Sequence, residues 1–359
     1  MKQPASLTAK TFQRLLLRWF DRYGRKDLPW QKNKTPYRVW ISEIMLQQTQ
    51  VSTVMSYFER FIAKFPDVGS LATADEDAVF HIWTGLGYYQ RARHLQIAAK
   101  KIFEHGGIFP DEQAQLEALP GIGRSTAGAI LSIAFEKKAT ILDGNVKRVL
   151  TRLHGITEWP GEKKVTEQLW QLAEQFTPNK RCADYSQAIM DLGATLCVRG
   201  KPVCTQCPFE KYCVARSKGI EKTLPHSKPR KTLPVKQSAL LILQKQPHVV
   251  LLEKRPAKGI WAGLWSLPEI HDKPTAATLR KTCLNQLKLR VKTIQFGDIF
   301  RHTFTHYHLD ILPVFLQVEE TSHKTIEDKQ KIWYNLRQSQ QIGMPAPVKL
   351  LLNKLEKSS

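Results

Sequence analysis

A short turn with two glycines, Leu119-Pro120-Gly121-Ile122-Gly123, constrains the fold of this chain more than any other segment. It lies between two stretches with helical periodicity, 111–118 and 125–135. Glycine tolerates positive φ, so the turn can gather backbone N–H groups at a helix N-terminus, where anions are attracted. A Pro-Gly-x-Gly turn is also an ordinary connection between helices. The sequence therefore predicts a helical hairpin that is suited to binding phosphate.

The apolar pattern indicates a helical region followed by a mixed one. From residue 8 to about 215, apolar residues recur at spacings of three and four, which is the helical period. Residues 218–236 are rich in Lys, Pro, Thr and Ser, which is typical of a linker. We therefore expect a helical domain at 1–222, a linker at 223–236 and an α+β domain at 237–359.

Within the α+β domain, apolar runs around a Gln-Lys-Gln-Pro-His turn predict a pair of strands. The predicted strands are 239–243, 249–252, 293–296 and 307–318, and the predicted helices are 276–286 and 348–357.

The formal net charge of +22 and the pI of about 9.8 exceed what solubility requires. A polyanionic partner is expected, although charge alone does not separate DNA from RNA or an anionic membrane. No apolar run approaches the roughly 18 residues that a membrane span needs, and no secretory signal is recognisable. We expect a protein of the cytoplasm that does not enter a membrane.

Four of the six cysteines fall within seventeen positions in a C-x6-C-x2-C-x5-C run. They are Cys197, Cys204, Cys207 and Cys213. Such clustering indicates metal rather than a disulfide framework. Structural zinc usually takes two separated close pairs, so an iron–sulfur cluster is favoured over zinc or a chance group of buried thiols. Cys182 and Cys283 stand apart and are expected to be small buried side chains.

Two carboxylates occupy contrasting sequence environments. Glu43 lies in an apolar helical run, where desolvation should raise its pKa. Asp143 follows Ile141-Leu142 and precedes a helix, whose N–H donors should keep it ionised. Such a pair can divide proton donation from charge stabilisation in glycosidic bond cleavage. Taken singly, Glu43 also fits a solvated helix face, and Asp143 fits a helix cap.

With these features in one order, the chain resembles the helix-hairpin-helix glycosylases of base-excision repair, and within them the adenine DNA glycosylase (MutY) family. The resemblance covers essentially the whole chain. It rests on Leu28-Pro29-Trp30, Ser42-Glu43-Ile44-Met45-Leu46-Gln47-Gln48-Thr49-Gln50, Trp83-Thr84-Gly85-Leu86-Gly87-Tyr88-Tyr89, Gly123-Arg124-Ser125-Thr126-Ala127-Gly128 and Leu142-Asp143-Gly144-Asn145-Val146.

The resemblance implies removal of adenine that is mispaired with 8-oxoguanine or guanine in duplex DNA, after the nucleotide is flipped out. Glu43 would protonate adenine at N7 and then help to activate water. Asp143 would stabilise the oxocarbenium-like sugar, and Asn145 would orient the site. The resemblance also implies one 4Fe-4S cluster, held by the four clustered cysteines.

The family likeness assigns further residues to the DNA and to the base. The residues that would enter the base stack are Gln47, Gln48, Thr49 and Tyr88. The residues that would contact the DNA backbone are Gly121, Gly123 and Ser125. Trp30 and Leu46 would line the adenine pocket. Without the likeness, other roles fit these residues. Gln47 to Thr49 could simply form a polar helix end, and Tyr88 could be a half-buried aromatic residue. Trp30 and Leu46 could belong to the core.

Related endonuclease III-like enzymes carry a lysine immediately after the Gly-x-Gly-Arg turn, and it attacks the sugar. Here that position is Ser125, which cannot form an imine. We therefore expect a glycosylase with little or no lyase activity. Lys147, which is close to Asp143 in sequence, fits a phosphate contact better than a nucleophile.

The second domain resembles the Nudix-like module of adenine glycosylases. The carboxylates of a hydrolytic Nudix helix are missing after Trp265, so recognition of 8-oxoguanine is expected rather than hydrolysis. A Phe-Ser-His loop makes that check in the family, and Phe304-Thr305-His306 stands in its place. The threonine keeps the hydroxyl and adds a methyl group. Metal binding by His302, His306 and His308 is not expected.

Two other functions stay open at this point. A pyrimidine-lesion glycosylase/lyase is opposed by Ser125 and by the second domain. A non-catalytic iron–sulfur protein that binds DNA or senses redox state would have no need for both Glu43 and Asp143. We expect a monomer associated with the nucleoid of a bacterium; no sequence feature marks a protein partner.

Overall fold

The computed structural model describes residues 5–228, 232–271, 274–321, 330–338 and 340–358. The described residues form two compact units, each considered by itself. The first contains residues 5–73 and 93–228; the second contains 74–92 and the described residues from 232 onward. The boundaries at 222 and 237 stay a prediction, and 229–231 of the predicted linker lie outside the described residues.

The α-helices are α1 (Ala9–Tyr23), α2 (Pro36–Leu46), α3 (Val51–Lys64), α4 (Val68–Thr73), α5 (Glu76–Trp83), α6 (Gln90–Glu104), α7 (Gln113–Glu117), α8 (Arg124–Ala134), α9 (Gly144–His154), α10 (Lys163–Phe176), α11 (Cys182–Thr195), α12 (Val214–Lys218), α13 (Ala276–Leu287) and α14 (Ala346–Ser358). Short 3-10 helices span Pro29–Gln31, Cys204–Gln206 and Glu210–Tyr212. The strands are β1 (Val235–Gln246), β2 (Val249–Lys254), β3 (Trp265–Ser266), β4 (Glu269–Ile270), β5 (Leu289–Phe296), β6 (Phe300–Thr303), β7 (His308–Glu320) and β8 (Lys331–Asn335). No described helix has the length and apolar character needed to cross a bilayer.

Helix α1 shows how the first unit builds its core. Thr8 caps the helix by accepting a hydrogen bond from the N–H of Thr11 at 3.2 Å. The helix buries one apolar face, and the Phe12 ring stacks at 4.4 Å on Phe176 and at 4.5 Å on Phe209. Because Phe209 lies between the last two clustered cysteines, this stacking fixes the cysteine loop to the helical core.

The predicted hairpin is formed by α7 and α8. Gly121 has φ of +82°, and an added Cβ there would lie 2.9 Å from the Cβ of His94. Within α8, an added Cβ at Gly128 would lie 2.2 Å from the carbonyl oxygen of Thr140. The hairpin helix therefore packs directly against the segment that leads to Asp143.

The second unit is built on a mixed sheet of order β3-β2-β1-β7-β5, in which β1 and β7 are parallel. Alternate residues of β1 contribute to two cores: Leu240 and Ile242 to one, Leu241 and Leu243 to the other. Helix α14 contributes to the first core and helix α13 to the second. The sheet is therefore covered by a helix on each face, as its continuous apolar central strand requires.

The predicted paired strands are confirmed, since β1 and β2 are antiparallel and include 239–243 and 249–252. The other predicted strands and both predicted helices are also present in β5, β7, α13 and α14. Strand β1 begins at Val235, two residues before the predicted start of the α+β domain at 237. The sequence did not predict β3, β4, β6 and β8, which are two to five residues long and too short to show a clear period.

Residues 74–92 belong to the second unit, although the sequence predicts one continuous helical domain there. Asp77 Oδ2 accepts hydrogen bonds from Lys254 Nζ at 2.9 Å and from Trp265 Nε1 at 3.1 Å. The hydroxyl of Tyr89 donates to the carbonyl oxygen of Met344 at 2.7 Å. These contacts join residues 74–92 to the α+β fold. Helical periodicity cannot reveal which core a helix face contacts.

Candidate active site

A cavity of about 580 Å³ in the first unit contains most of the predicted catalytic residues, and its size is within the usual range for a ligand site. We call it the catalytic cavity. The predicted residues that line it are Trp30, Glu43, Leu46, Gln47, Gln48, Thr49, Ser125, Asp143 and Asn145. Tyr88, Gly121 and Gly123 are not among its described lining residues. Residues that are 100 positions apart in sequence thus meet at one concave surface.

Glu43 is placed by α2, which Thr35 caps by accepting a hydrogen bond from Arg38 N–H at 3.2 Å. Pro36 occupies the first turn, where its missing N–H costs nothing. The helix is apolar around nearly its whole circumference, so its one carboxylate is enclosed by protein and retains only a little surface toward the cavity. Burial, followed by the nearby charge of Asp143, raises the pKa of Glu43 to about 8. The predicted direction is confirmed.

Asp143 is the N-cap of α9, as the sequence indicated. Its Oδ1 accepts from the N–H of Val146 at 2.8 Å, and its Oδ2 accepts from the Asn145 side-chain amide at 2.9 Å. The sequence predicted that such donors would keep Asp143 ionised, and two of them are present. Burial of the carboxyl outweighs the two hydrogen bonds, so the pKa of Asp143 is raised.

The two carboxyl groups still differ in their surroundings. Asp143 accepts two hydrogen bonds that stabilise its anion, whereas no hydrogen bond to the Glu43 carboxyl occurs among the described residues. Ionisation of either carboxyl group makes ionisation of the other less favourable, since the Asp143 charge contributes to the raised pKa of Glu43. When the two carboxyl groups hold one proton between them, the proton is therefore favoured on Glu43.

A chain of hydrogen bonds leads from Asp143 to the first clustered cysteine. The Asn145 side chain accepts from Arg148 Nη2 at 2.8 Å, and Arg148 Nε donates to the carbonyl oxygen of Cys197 at 2.7 Å. Arg148 also donates to the carbonyl oxygen of Gly193 at 2.7 Å. An added Cβ at Gly193 would lie 2.6 Å from the Cβ of Asn145, so α11 and the Asp143 turn are in close contact.

Sequence reasoning missed Arg25, which also lines the catalytic cavity. Its side chain is paired with the fully buried Asp191, with Nη2 to Oδ1 at 2.6 Å, and Gln187 donates to the same oxygen at 3.0 Å. Asp191 lies in a short apolar run of α11, after Ala188-Ile189-Met190 and before Leu192, so the local signal that identifies Glu43 is also present there. The other lining residues that the sequence did not single out are Leu28, Val51, Thr126, Gly144, Arg148, Gln187, Met190 and Ala194.

Ser125 has a structural role that its sequence position does not reveal. Its hydroxyl oxygen accepts a hydrogen bond from Leu142 N–H at 2.9 Å. The residue after the Gly-x-Gly-Arg turn therefore helps to hold the backbone that precedes Asp143. The neighbouring Arg124 lies 4.0 Å from the centre of the Trp170 ring and is paired with Glu174.

The four clustered cysteines are free thiols gathered around two 3-10 turns. Burial raises the pKa of Cys207 to about 12 and of Cys213 to about 11, and the neighbouring sulfurs contribute to both shifts. Arg152 Nη1 lies 3.3 Å from the sulfur of Cys197. Four thiol donors in one loop suit a thiolate-bound cluster by their chemistry. Among the described residues, however, no three His, Cys, Asp or Glu side chains are arranged to hold a metal ion.

The predicted recognition residues of the second unit lie in the turn between β6 and β7. Thr305 and His306 are exposed, and Phe304 N–H donates to the carbonyl oxygen of Tyr307 at 2.9 Å. The Phe304 ring lies 5.5 Å from that of Trp261 and 4.8 Å from that of Tyr307. Two polar side chains are thus presented at the tip of an aromatic cluster.

Tyr88 is also presented by a defined backbone in the second unit. It has φ of +51° and is 48% exposed. The guanidinium of Arg91 lies 5.5 Å from its ring centre. The carbonyl oxygen before it, on Gly87, accepts hydrogen bonds from Trp83 Nε1 at 3.1 Å and from Arg91 at 3.2 Å.

Comparison with known proteins places these features in a family. Residues 41–175 match the HhH-GPD superfamily of base excision DNA repair proteins, and residues 238–354 match the NUDIX domain. In solved structures, the fold is similar to that of a thermostable thymine-DNA glycosylase, with TM-score 0.54 and 29% identity over 58% of this chain and 97% of that one. It is also similar to an endonuclease III in a non-covalent DNA complex, with TM-score 0.50 and 22% identity over 60% of this chain and 100% of that one.

The sequence relatives extend over both units. The adenine DNA glycosylase of Buchnera aphidicola subsp. Acyrthosiphon pisum is 41% identical over 353 residues, which cover 98% of this chain and 99% of the relative. The adenine DNA glycosylase of Homo sapiens is 36% identical over 85% of this chain and 66% of the relative. The protein is thus a DNA glycosylase of base-excision repair, and the chain belongs to the adenine DNA glycosylase family.

Proposed function

We propose that the protein, acting as a monomer on duplex DNA, removes adenine mispaired with 8-oxoguanine or guanine. The single observation that carries this proposal is that Glu43 and Asp143 line one cavity with different hydrogen-bonding surroundings. The cavity is of a size that admits a flipped nucleobase. Its apolar wall includes Trp30 and Leu46, which suit the faces of a purine.

The proton donor in this proposal is Glu43. Its pKa of about 8 supports a protonated side chain at neutral pH, so it can donate to N7 of adenine as the glycosidic bond breaks. Protonation matters because neutral adenine is a better leaving group than its anion. Once ionised, Glu43 can accept a proton from the attacking water.

The charge stabiliser in this proposal is Asp143. Its carboxylate is fixed by Val146 N–H and by the Asn145 amide, so it needs little reorganisation when positive charge develops on the sugar. Burial strengthens the attraction because few water molecules screen it. The raised pKa of Asp143 is the cost of holding an anion at this position.

Several residues are proposed to hold the DNA open. Gln48 has φ of +55° and is exposed at the end of α2, where the chain turns sharply; Gln47 and Thr49 flank it at the mouth of the catalytic cavity. The exposed ring of Tyr88 suits insertion into the base stack. Gly121 and Gly123 are exposed at the hairpin, which supports contact with a phosphate.

Three further elements complete the proposal. The four clustered cysteines bind one 4Fe-4S cluster, whose role is to fix the surrounding loop. Phe304, Thr305 and His306 test for 8-oxoguanine opposite the flipped adenine. The reaction stops at base removal, because position 125 lacks an amine and Lys147 is not among the described residues that line the catalytic cavity.

The test is base release from duplexes that carry adenine opposite 8-oxoguanine, guanine or thymine, with Asp143→Asn and Glu43→Gln as variants. We expect release from the first two duplexes and its loss in both variants. Strand cleavage without alkali would instead indicate a glycosylase/lyase, and binding without base release would indicate a non-catalytic protein. Iron and sulfide analysis tests the cluster, and gel filtration with light scattering tests the monomer.

A further inference from the structure

A second concave surface adjoins the catalytic cavity in the first unit. It has a volume of about 620 Å³, and Gly144 and Arg148 line both sites. We call it the basic groove. Its cations come from three separate parts of the chain: Lys147, Arg148, Arg152, Arg199, Lys222 and Lys228.

The described charged side chains that line the basic groove are all basic. No Asp or Glu is among its described lining residues. No carboxylate of the described residues lies within ion-pair distance of Lys147, Arg199 or Lys222. Unpaired cations gathered at a concave surface repel one another unless an anion binds there.

The wall formed by residues 222–228 has a fixed shape, although its composition is that of a linker. Leu224 is buried, and its carbonyl oxygen accepts from Arg152 Nε at 2.9 Å. Arg152 also donates to the carbonyl oxygen of Val198 at 2.8 Å, so one buried arginine joins two walls of the groove.

Trp159 completes the wall on the other side of this segment. Lys228 Nζ lies 5.3 Å from the centre of its ring. An added Cβ at Gly161 would lie 2.2 Å from Trp159 Cζ2, so the indole is held against the backbone. The groove is therefore built before any ligand arrives.

We propose that the basic groove binds phosphates of the DNA strand that carries the flipped nucleotide, and that residues 222–228 are therefore a DNA-binding element. A nucleotide in the catalytic cavity has a phosphate on each side. Because Gly144 and Arg148 belong to both sites, a backbone that leaves the cavity past Gly144 enters the groove. This inference rests on the proposed function only in requiring a flipped nucleotide in the catalytic cavity.

The first experiment measures the salt dependence of affinity for a duplex with a non-cleavable adenosine analogue. In Lys222→Gln/Lys228→Gln, the slope of log K against log salt should fall by about 1.8, since each lost phosphate contact contributes about 0.9. Lys10→Gln/Lys218→Gln is the matched control, with the same change of charge at exposed positions outside the groove lining. An unchanged slope in the groove variant, or an equal fall in the control, overturns the proposal.

The second experiment locates the contact. A neutral methylphosphonate replaces one phosphate at a time on each side of the analogue in the same strand. At one or two positions next to the analogue, the substitution should weaken the wild type but not weaken the groove variant further. Equal weakening of both proteins at every position overturns the proposal.

Base release distinguishes this proposal from the proposed function. The control variant Lys10→Gln/Lys218→Gln should release adenine at the rate of the wild type, because it changes neither a catalytic group nor a residue that lines the groove. If the wild type releases no adenine from any mispair, the proposed function fails while the slope still tests the groove. Lys222→Arg/Lys228→Arg should restore the slope, which a merely misfolded wall would not do.

Discussion

The catalytic cavity and the basic groove share two lining residues and have similar volumes, about 580 and 620 Å³, yet they differ in the ionisable side chains that line them. The cavity holds two enclosed carboxyl groups whose pKa values are raised by burial. The groove holds six cations, five of which are exposed or only partly covered. The difference shows that reaction chemistry requires charge where burial makes it costly, whereas strand binding requires charge that water still reaches.

Asp143→Asn tests most directly whether the cavity and the groove have separate roles. The amide keeps the shape but removes the anion, so single-turnover adenine release should fall by about 10³-fold. Affinity for the analogue duplex should persist, because the groove is unchanged. Quenched-flow base release and a binding titration measure the two effects. A parallel loss of affinity and rate would show that the cavity and groove are not functionally separate.

Glu43→Gln should lower the same rate by about 10²- to 10³-fold, within the range for loss of a general acid. The wild-type kcat/KM should also fall as pH rises above about 8, because the proton donor is then ionised. The residual activity of the variant should lack this fall. A wild-type profile that stays flat to pH 9.5 would contradict the role of Glu43 as donor.

Glu43→Gln should also stabilise the folded protein at alkaline pH. The folded pKa of about 8 lies above the ordinary 4.5, so the native state holds a proton that the unfolded state has released, and stability falls as pH rises between these values. The variant should exceed the wild type by roughly 2–3 kcal/mol at pH 8.5, because water in the cavity screens part of the cost. The difference in the free energy of unfolding between the variant and the wild type should nearly vanish at pH 4.5. Urea unfolding at both pH values provides the measurement.

Gly193→Ala tests how closely α11 supports the cavity. The added methyl would displace Asn145 and the Asp143 turn, so base release should slow by about 10- to 100-fold. The salt slope of binding should stay that of the wild type, because the groove cations are unchanged. An unaltered rate would show that α11 can yield without moving Asp143.

Lys147→Gln should have the smallest effect. It removes one groove cation from the first turn of α9. Affinity should fall a few-fold, the salt slope should fall by about 0.9, and the rate at saturation should not change. A loss of rate at saturation would assign Lys147 to the cavity chemistry instead.

Local sequence predicted some elements of the site well and others poorly. The apolar run around Glu43 was enough to predict its raised pKa, because a helix that is apolar on every side encloses any carboxylate it carries. The raised pKa of Asp143 was not predicted, because its two donors are visible in the local sequence while the burial that outweighs them is supplied by other elements. The pairing of Arg25 with Asp191 joins positions 166 residues apart, so no local pattern reveals it.

The same limit applies to residues 74–92 and 222–228. The first segment is helical as expected, yet its anchors, Lys254, Trp265 and Met344, belong to the α+β fold. The second has the composition of a linker, yet a buried arginine and a buried leucine give it a fixed place. Composition predicts the conformation that a segment favours in isolation, and packing against the rest of the protein decides the conformation that it adopts.

The sequence by itself determined the types of element, the glycine hairpin, the four-cysteine run and the two carboxylates, because periodicity, turn chemistry and ligand spacing act over a few residues. Only the tertiary structure decided that Glu43 and Asp143 share one cavity, that Ser125 holds the turn before Asp143, and that a basic groove adjoins them. Desolvation and charge repulsion depend on which atoms are near in space. That proximity is set when the helices pack, not by their order along the chain.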